Sequence, residues 1–120
     1  MPANEDRTVI LVVDDNPDVR EALTDFLSAK GYSTASASDG SRALEQMRDL
    51  PVGLVLLDLE MPVMDGYGFL AASQAEHLLQ NTPVIVISAY PSRGLDAADA
   101  ILTKPVQPEL LLQSVRHFLF

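Results

Sequence analysis

Asp14 and Asp15 are adjacent acids, Asp58 is a third, Ser88 carries a hydroxyl and Lys104 a positive charge. Each stands at or just past the end of an apolar run, the runs being 8–13, 53–57, 83–87 and 100–102. Three carboxylates brought to one place repel one another, and protonation or a cation must relieve the repulsion. Magnesium suits such a set, because it takes oxygen ligands and shares its shell among waters, one or two carboxylates and phosphate oxygens. A carboxylate can also attack phosphorus to form an aspartyl phosphate. Phosphoryl transfer asks mainly for positioning and for neutralisation of the equatorial oxygens. Here the cation would neutralise one side and Lys104 another, with the Ser88 hydroxyl donating to a third oxygen.

Taken singly, these residues have plainer readings. Acids often precede a helix, where they favour the positive end of its dipole. Asn16 already fills the capping role, however, so two carboxylates are surplus to it. A lone serine or Lys-Pro pair is usually a surface or turn feature. Their order along the chain, each at a strand end, is what gives them meaning together.

The elements that must position these groups alternate. Residues 8–13 form a continuous β-branched and leucine run, the pattern of a strand buried on both faces. Asn16-Pro17 reads as an N-cap with proline in the first turn, and Val19, Ala22, Leu23, Phe26 and Leu27 share one helical face before Gly31 stops the helix. Residues 32–37 make a weaker strand of small and polar residues, suited to a sheet edge. Asp39-Gly40-Ser41 opens a second helix with Ala43, Leu44, Met47 and Leu50 on its apolar face, and 53–57 is the third strand. Asp65-Gly66 turns into a third helix expected to reach about Leu79, followed by a fourth strand at 83–87 and a short fifth at 100–102. A last helix from about Pro108 buries Leu111, Leu112, Val115, Phe118 and Leu119. Strands separated by helices predict an α/β, doubly wound parallel sheet, with ligands beyond the carboxyl ends of its strands.

The 120 residues are expected to form a single domain, 1–120, with a flexible polar N-terminus over 1–7. A net charge of −9 argues against direct binding to nucleic acid and suits a site that recruits cations. The absence of cysteine excludes disulfides and thiolate metal sites. No apolar run approaches the roughly 20 residues of a membrane helix, and 1–7 lacks the hydrophobic region of a signal peptide. A cytoplasmic protein with no membrane partner is the expectation.

Four segments together resemble the receiver domain of two-component response regulators, over nearly the whole chain. They are Val12-Val13-Asp14-Asp15-Asn16, Leu57-Asp58-Leu59-Glu60-Met61-Pro62-Val63-Met64-Asp65-Gly66, Ile87-Ser88-Ala89 and Thr103-Lys104-Pro105. The resemblance implies a flavodoxin-like sheet of five strands in the order 2-1-3-4-5. It implies that Asp58 takes phosphate from a histidine kinase or histidine phosphotransfer protein in a phosphorelay, switching a surface read by a downstream target or output domain. Beyond this self-phosphorylation and its reversal, no enzyme activity is implied. By the same resemblance, Mg²⁺ is held by the side chains of Asp15 and Asp58, by Asp14 mainly through water, and by the backbone carbonyl of Glu60. Ser88 and Lys104 contact the phosphoryl group, and the Lys104–Pro105 bond is cis.

Two features depart from the family pattern. Ile101 stands where the family commonly has an aromatic residue that swings inward on phosphorylation, and Tyr90 is a candidate for a different switch, though an exposed loop tyrosine is the simpler reading. Only eleven residues, 89–99, with Pro91 and Gly94 among them, join the fourth and fifth strands. A parallel crossover normally takes a dozen or more. The helix usual in that crossover is therefore expected to be shortened or absent, and the chain in isolation to be monomeric. Glu60 and Tyr90 also stand where receivers tune phosphate lifetime, with a sign the residues leave open.

Two other readings compete. An aspartate-nucleophile phosphatase wants a second acid two positions after the nucleophile, where Glu60 stands, but so short a chain is not expected to hold the cap domain of such an enzyme, and the acidic pair lies before rather than after Asp58. A phosphate-independent interaction module would not need the full set of five site residues. Neither a P-loop nor a GxGxxG pattern is present, and His77 and His117 read as helix-surface residues rather than ligands.

Overall fold

In the computed structural model, residues 8–59, 66–89 and 98–119 are described. The strands are β1 (Val9–Val13), β2 (Ser33–Ala37), β3 (Val52–Asp58), β4 (Val84–Ser88) and β5 (Ala100–Thr103), and the helices are α1 (Pro17–Ala29), α2 (Gly40–Asp49), α3 (Gly66–Ala75) and α4 (Pro108–Phe118). All neighbouring strands are parallel, in the order β2-β1-β3-β4-β5. The doubly wound, flavodoxin-like order expected from the resemblance is the one found. The shortened crossover helix between the fourth and fifth strands was expected over 90–99; residues 90–97 lie outside the described residues.

Strand parity builds the two halves of the core. Leu11 and Val13 of β1, Val55 and Leu57 of β3, and Val84 and Val86 of β4 join Ala43, Leu44 and Met47 of α2 and Phe69 and Leu70 of α3. The alternate residues Ile10, Val12, Leu54, Leu56, Ile85 and Ile87 join Leu27 of α1 and Leu111 and Val115 of α4. Because every central strand is covered on both faces, its sequence is apolar without interruption. The edge strand β2, with Ser33, Thr34 and Ser36, is only partly buried and tolerates polar residues.

Asn16 caps α1, its side chain accepting from the N–H groups of Asp18 (2.9 Å) and Val19 (3.3 Å). Gly31, at φ +95°, ends the same helix. Its N–H bonds to Ser28 O and the N–H of Tyr32 to Leu27 O, the paired bonds of a Schellman stop.

Five expectations need correction. The third helix ends at Ala75 rather than near Leu79, because His77 takes φ +59° and closes a second Schellman stop: His77 N–H to Gln74 O and Leu78 N–H to Ser73 O. His77 therefore belongs to that stop and not to a helix surface, whereas His117 is an exposed residue of α4. On α1, Leu27 is buried and Leu23 and Phe26 partly so, but Val19 and Ala22 are exposed, because the helix start overhangs the sheet end. Leu50 caps α2 in extended backbone and is likewise exposed. Of the predicted α4 face, Leu111 and Val115 are fully buried while Leu112, Phe118 and Leu119 are partly so.

Candidate functional site

The register carries the candidate residues to one edge. Val13 pairs with Leu57, so Asp14 and Asp58 follow side by side as β1 and β3 end. Asp58 pairs with Ile87 and Ser88 with Thr103, which brings the ends of β4 and β5 level with them. Asp14, Asp58 and Lys104 continue the alternate rows Ile10-Val12, Leu54-Leu56 and Ala100-Leu102, whose members pack on the α1 and α4 side of the sheet. The apolar parity that builds one half of the core ends, at the sheet edge, in charged groups.

Asp14, Asp15 and Asp58 each place a carboxylate oxygen within 4.8 Å of the others. Asp14 and Asp58 are buried and Asp15 is exposed, so the cluster opens to solvent on the Asp15 side. Lys104 Nζ donates to Asp58 Oδ1 at 3.0 Å. The backbone N–H of Lys104 bonds to Ser88 O at 3.0 Å, tying the lysine to the buried serine. The Lys104–Pro105 peptide is cis, as the resemblance implied.

Asp14 is held on three sides. Its N–H bonds to Ala37 O of β2 at 3.1 Å, its Oδ1 accepts from Asn16 N–H at 2.9 Å, and its carbonyl accepts from Arg20 Nη1 at 2.8 Å. Burial pushes the Asp14 carboxyl above its ordinary range. The Asn16 N–H and Lys104 pull it down, while the negative charges of Asp58 and Asp15 push it further up. A buried carboxylate beside two more is the environment that a bound cation relieves.

The donor set fits magnesium. It consists of hard oxygens only, with neither thiolate nor imidazole among its members. Magnesium–oxygen bonds of about 2.1 Å hold two ligand atoms of one ion no more than about 4.2 Å apart. A cluster spread over as much as 4.8 Å thus suits an ion that takes some carboxylates directly and another through water.

α3 starts against the same edge. Gly66 N–H bonds to Leu59 O at 3.1 Å, and a Cβ at Gly66 would stand 2.7 Å from Leu59 Cα and 3.0 Å from Asp58 O. Only a hydrogen fits there, so the backbone after Asp58 and the start of α3 are locked together. Of the expected Asp65-Gly66 turn, Asp65 lies outside the described residues; the close approach at Gly66 had no signal in the sequence.

Next to the cluster lies a groove of about 510 Å³ lined by Asp14, Val19, Ala22, Leu23, Ile87, Lys104, Pro105 and Val106. The apolar residues that α1 fails to bury form one wall of it. Ile101, at the position where the family commonly has an aromatic, is 44% exposed on β5, beside Leu110 at 47%. Glu60, expected to offer its carbonyl to the ion, and Tyr90, the candidate switch, lie outside the described residues. Of the six expected site residues, Asp14, Asp15, Asp58, Ser88 and Lys104 therefore meet at one edge. Arg20, which the sequence reading passed over, holds the Asp14 carbonyl.

A family model described as the response regulator receiver domain matches residues 10–116. Response regulator RR06 of Streptococcus pneumoniae is 36% identical over 113 residues, which cover 89% of this chain and 51% of that protein. The DNA-binding response regulator MtrA of Mycolicibacterium smegmatis is 38% identical over 116 residues, 92% of this chain and 50% of its own length. The chain thus spans about half the length of the curated relatives it matches. Among solved structures, the Vibrio cholerae chemotaxis protein CheY4 superposes with a TM-score of 0.85 at 28% identity, covering 93% of this chain and 98% of that one. The Thermotoga maritima response regulator TrrA, in complex with Mg²⁺ and BeF, superposes at 0.83 with 31% identity, covering 93% and 99%.

Proposed function

The chain belongs to the response regulator receiver domain family, and from that premise we propose that it is the phosphoacceptor of a two-component relay, with Asp58 as the acceptor. The observation that carries the proposal is the meeting of Asp14, Asp15 and Asp58 within 4.8 Å, with Lys104 Nζ 3.0 Å from Asp58 Oδ1.

Asp15 and Asp58 would hold Mg²⁺ by their side chains and Asp14 through water, a division that rests on their places in the motif, while the three carboxylates within 4.8 Å support one shared ion. Glu60 adds its carbonyl, a role resting on its place in the motif alone. Magnesium bound there supplies positive charge to the oxygens of the transferring phosphoryl group. A carboxylate oxygen of Asp58 forms the new bond to phosphorus as the phosphorus–nitrogen bond to a donor histidine breaks, and the electron pair leaves with the imidazole, which takes up a proton. Asp58 loses its carboxylate charge on phosphorylation, and the Lys104 ammonium turns to a phosphoryl oxygen, whose negative charge arrived with the phosphoryl group. The Ser88 hydroxyl donates to a further phosphoryl oxygen. No other catalysis is assigned to the chain beyond accepting this group and losing it to water.

The donor is a protein phosphorylated on histidine, from a histidine kinase or phosphotransfer protein. The apolar groove of Val19, Ala22, Pro105 and Val106 beside Asp14 and Lys104 supports a protein donor, since it offers contact surface within reach of the acceptor. The output is a protein contact or an attached domain. Relatives twice as long are named as DNA-binding, but the −9 charge of this chain makes its own surface a poor match for nucleic acid. Among the described residues no helix is long and apolar enough to cross a membrane. A cytoplasmic monomer, dependent on phosphate for its switch, completes the proposal.

Phosphoramidate, a small donor with a phosphorus–nitrogen bond, tests the assignment. Incubation with Mg²⁺ should add one phosphoryl group by intact mass, and both EDTA and Asp58→Asn should abolish it. Labelling of the Asp58→Asn protein at the wild-type rate would remove Asp58 from its role.

A further inference from the structure

The Asp14 carbonyl lies one residue past the end of β1, where the chain turns towards α1, and Arg20 Nη1 donates to it at 2.8 Å. The bond reaches back six positions, from the second turn of α1 across its capped start to the strand end. That carbonyl belongs to the peptide joining Asp14 to Asp15. A carbonyl held in one direction fixes the plane of its peptide, and with it the direction in which the next residue leaves.

We propose that Arg20 is a positioning residue for the cation site, aiming the exposed Asp15 carboxylate by fixing the Asp14–Asp15 peptide. The contrast between the two acids supports this. Asp14 is buried, and its carboxylate is held in place by the Asn16 N–H at 2.9 Å. Asp15 is exposed, and among the described residues no hydrogen bond holds its side chain, so its backbone alone sets its place in the cluster. The Asp15 N–H lies in the same peptide that Arg20 clamps. The guanidinium bonds a neutral carbonyl and leaves the carboxylates to the cation.

Arg20 is half-buried, and its remaining face lines a polar cleft of about 300 Å³ with Ser36, Ser38 and Arg42. Its planar fork has several donors, so one can be spent on the carbonyl while the others stay hydrated. A positive charge near a cation site would, acting through charge alone, weaken Mg²⁺ binding. Positioning predicts the opposite sign.

The inference rests on Mg²⁺ binding at the acidic cluster, so the test begins with the wild-type chain. Magnesium is titrated by calorimetry into wild type, Arg20→Met and Arg20→Lys, well below the unfolding temperature of each, and apo unfolding is followed separately. Arg20→Met keeps the aliphatic stem and loses the donor, and its Mg²⁺ dissociation constant should rise by roughly five- to tenfold, the scale of one net hydrogen bond. Arg20→Lys restores a charged donor and should recover at least half of that loss on a logarithmic scale. Wild-type affinity in Arg20→Met, or tighter binding, overturns the inference, as does an equal loss in both variants. Failure of the wild type itself to take up Mg²⁺ would instead overturn the phosphoacceptor reading.

Discussion

Lys104 Nζ lies 3.0 Å from Asp58 Oδ1, an ion pair that spans 46 positions of sequence and joins the end of β3 to the loop after β5. The Asp58 side chain is 2% exposed and that of Lys104 34%, so the pair is buried on one side and wet on the other. Its asymmetry matters for function: the acceptor is desolvated, while its counter-ion keeps enough freedom to follow charge onto a phosphoryl oxygen.

Removing only the lysine leaves a buried carboxylate without that partner. Lys104→Met should lose about 1–3 kcal/mol in urea unfolding at neutral pH, less than a fully buried pair because water screens the ammonium. The double variant Asp58→Asn with Lys104→Met should lose less than Lys104→Met alone. Additive losses would mean that the two side chains do not act as a pair.

Gly66 should not tolerate a methyl group. Gly66→Ala puts a Cβ 2.7 Å from Leu59 Cα, which is backbone and must shift, and the expected cost is about 1–3 kcal/mol. Because Leu59 follows Asp58 directly, phosphorylation should slow as well, measured as the rate of mass gain with phosphoramidate. An alanine variant with wild-type stability would show that the start of α3 can move away from β3.

The raised pKa of Asp14 has a definite sign in stability. Burial favours the protonated carboxyl in the folded chain, so the contribution of this group is fully present below its unfolded value of 3.8 and is lost as pH rises through the higher folded value. At neutral pH without a cation, Asp14→Asn should therefore be the more stable protein. Lowering the pH below about 4 should erase the difference. Added Mg²⁺ should stabilise wild type more than the variant. Thermal melts in EDTA across this pH range check the sign, and a less stable Asp14→Asn at neutral pH would contradict it.

His77 occupies the left-handed position of the stop after α3, at φ +59°. Glycine takes that conformation without a Cβ penalty, as Gly31 does at the end of α1. His77→Gly should stabilise the chain by about 0.5–1 kcal/mol, visible as a higher urea midpoint with phosphorylation unchanged. A lower midpoint would mean that the imidazole contributes more than its backbone costs.

The contrast between these two stops marks what the residues announce in advance. Gly31 was legible as the end of α1 because glycine is the usual residue of a left-handed stop, and the α3 stop was missed because histidine carries no such signal. The central strands were legible from uninterrupted apolar runs separated by helical periods, and their ends located Asp14, Asp58, Ser88 and Lys104, whereas the strand order came only with the family resemblance. What periodicity cannot report is how far a helix overhangs its sheet: Val19 and Ala22 have the spacing of core residues yet line a groove. Nor does it report single hydrogen bonds across six positions, such as Arg20 to Asp14. The hydroxyl and the ammonium were foreseen by type, the bond from Arg20 to the Asp14 carbonyl only by geometry.

The central claim is that Asp14, Asp15 and Asp58 share one Mg²⁺. Calorimetric titration of the chain at neutral pH tests it most directly: one ion per chain is predicted, with uptake lost in Asp15→Asn combined with Asp58→Asn. Absence of uptake by the wild type at millimolar Mg²⁺, or undiminished uptake by the double variant, would contradict it.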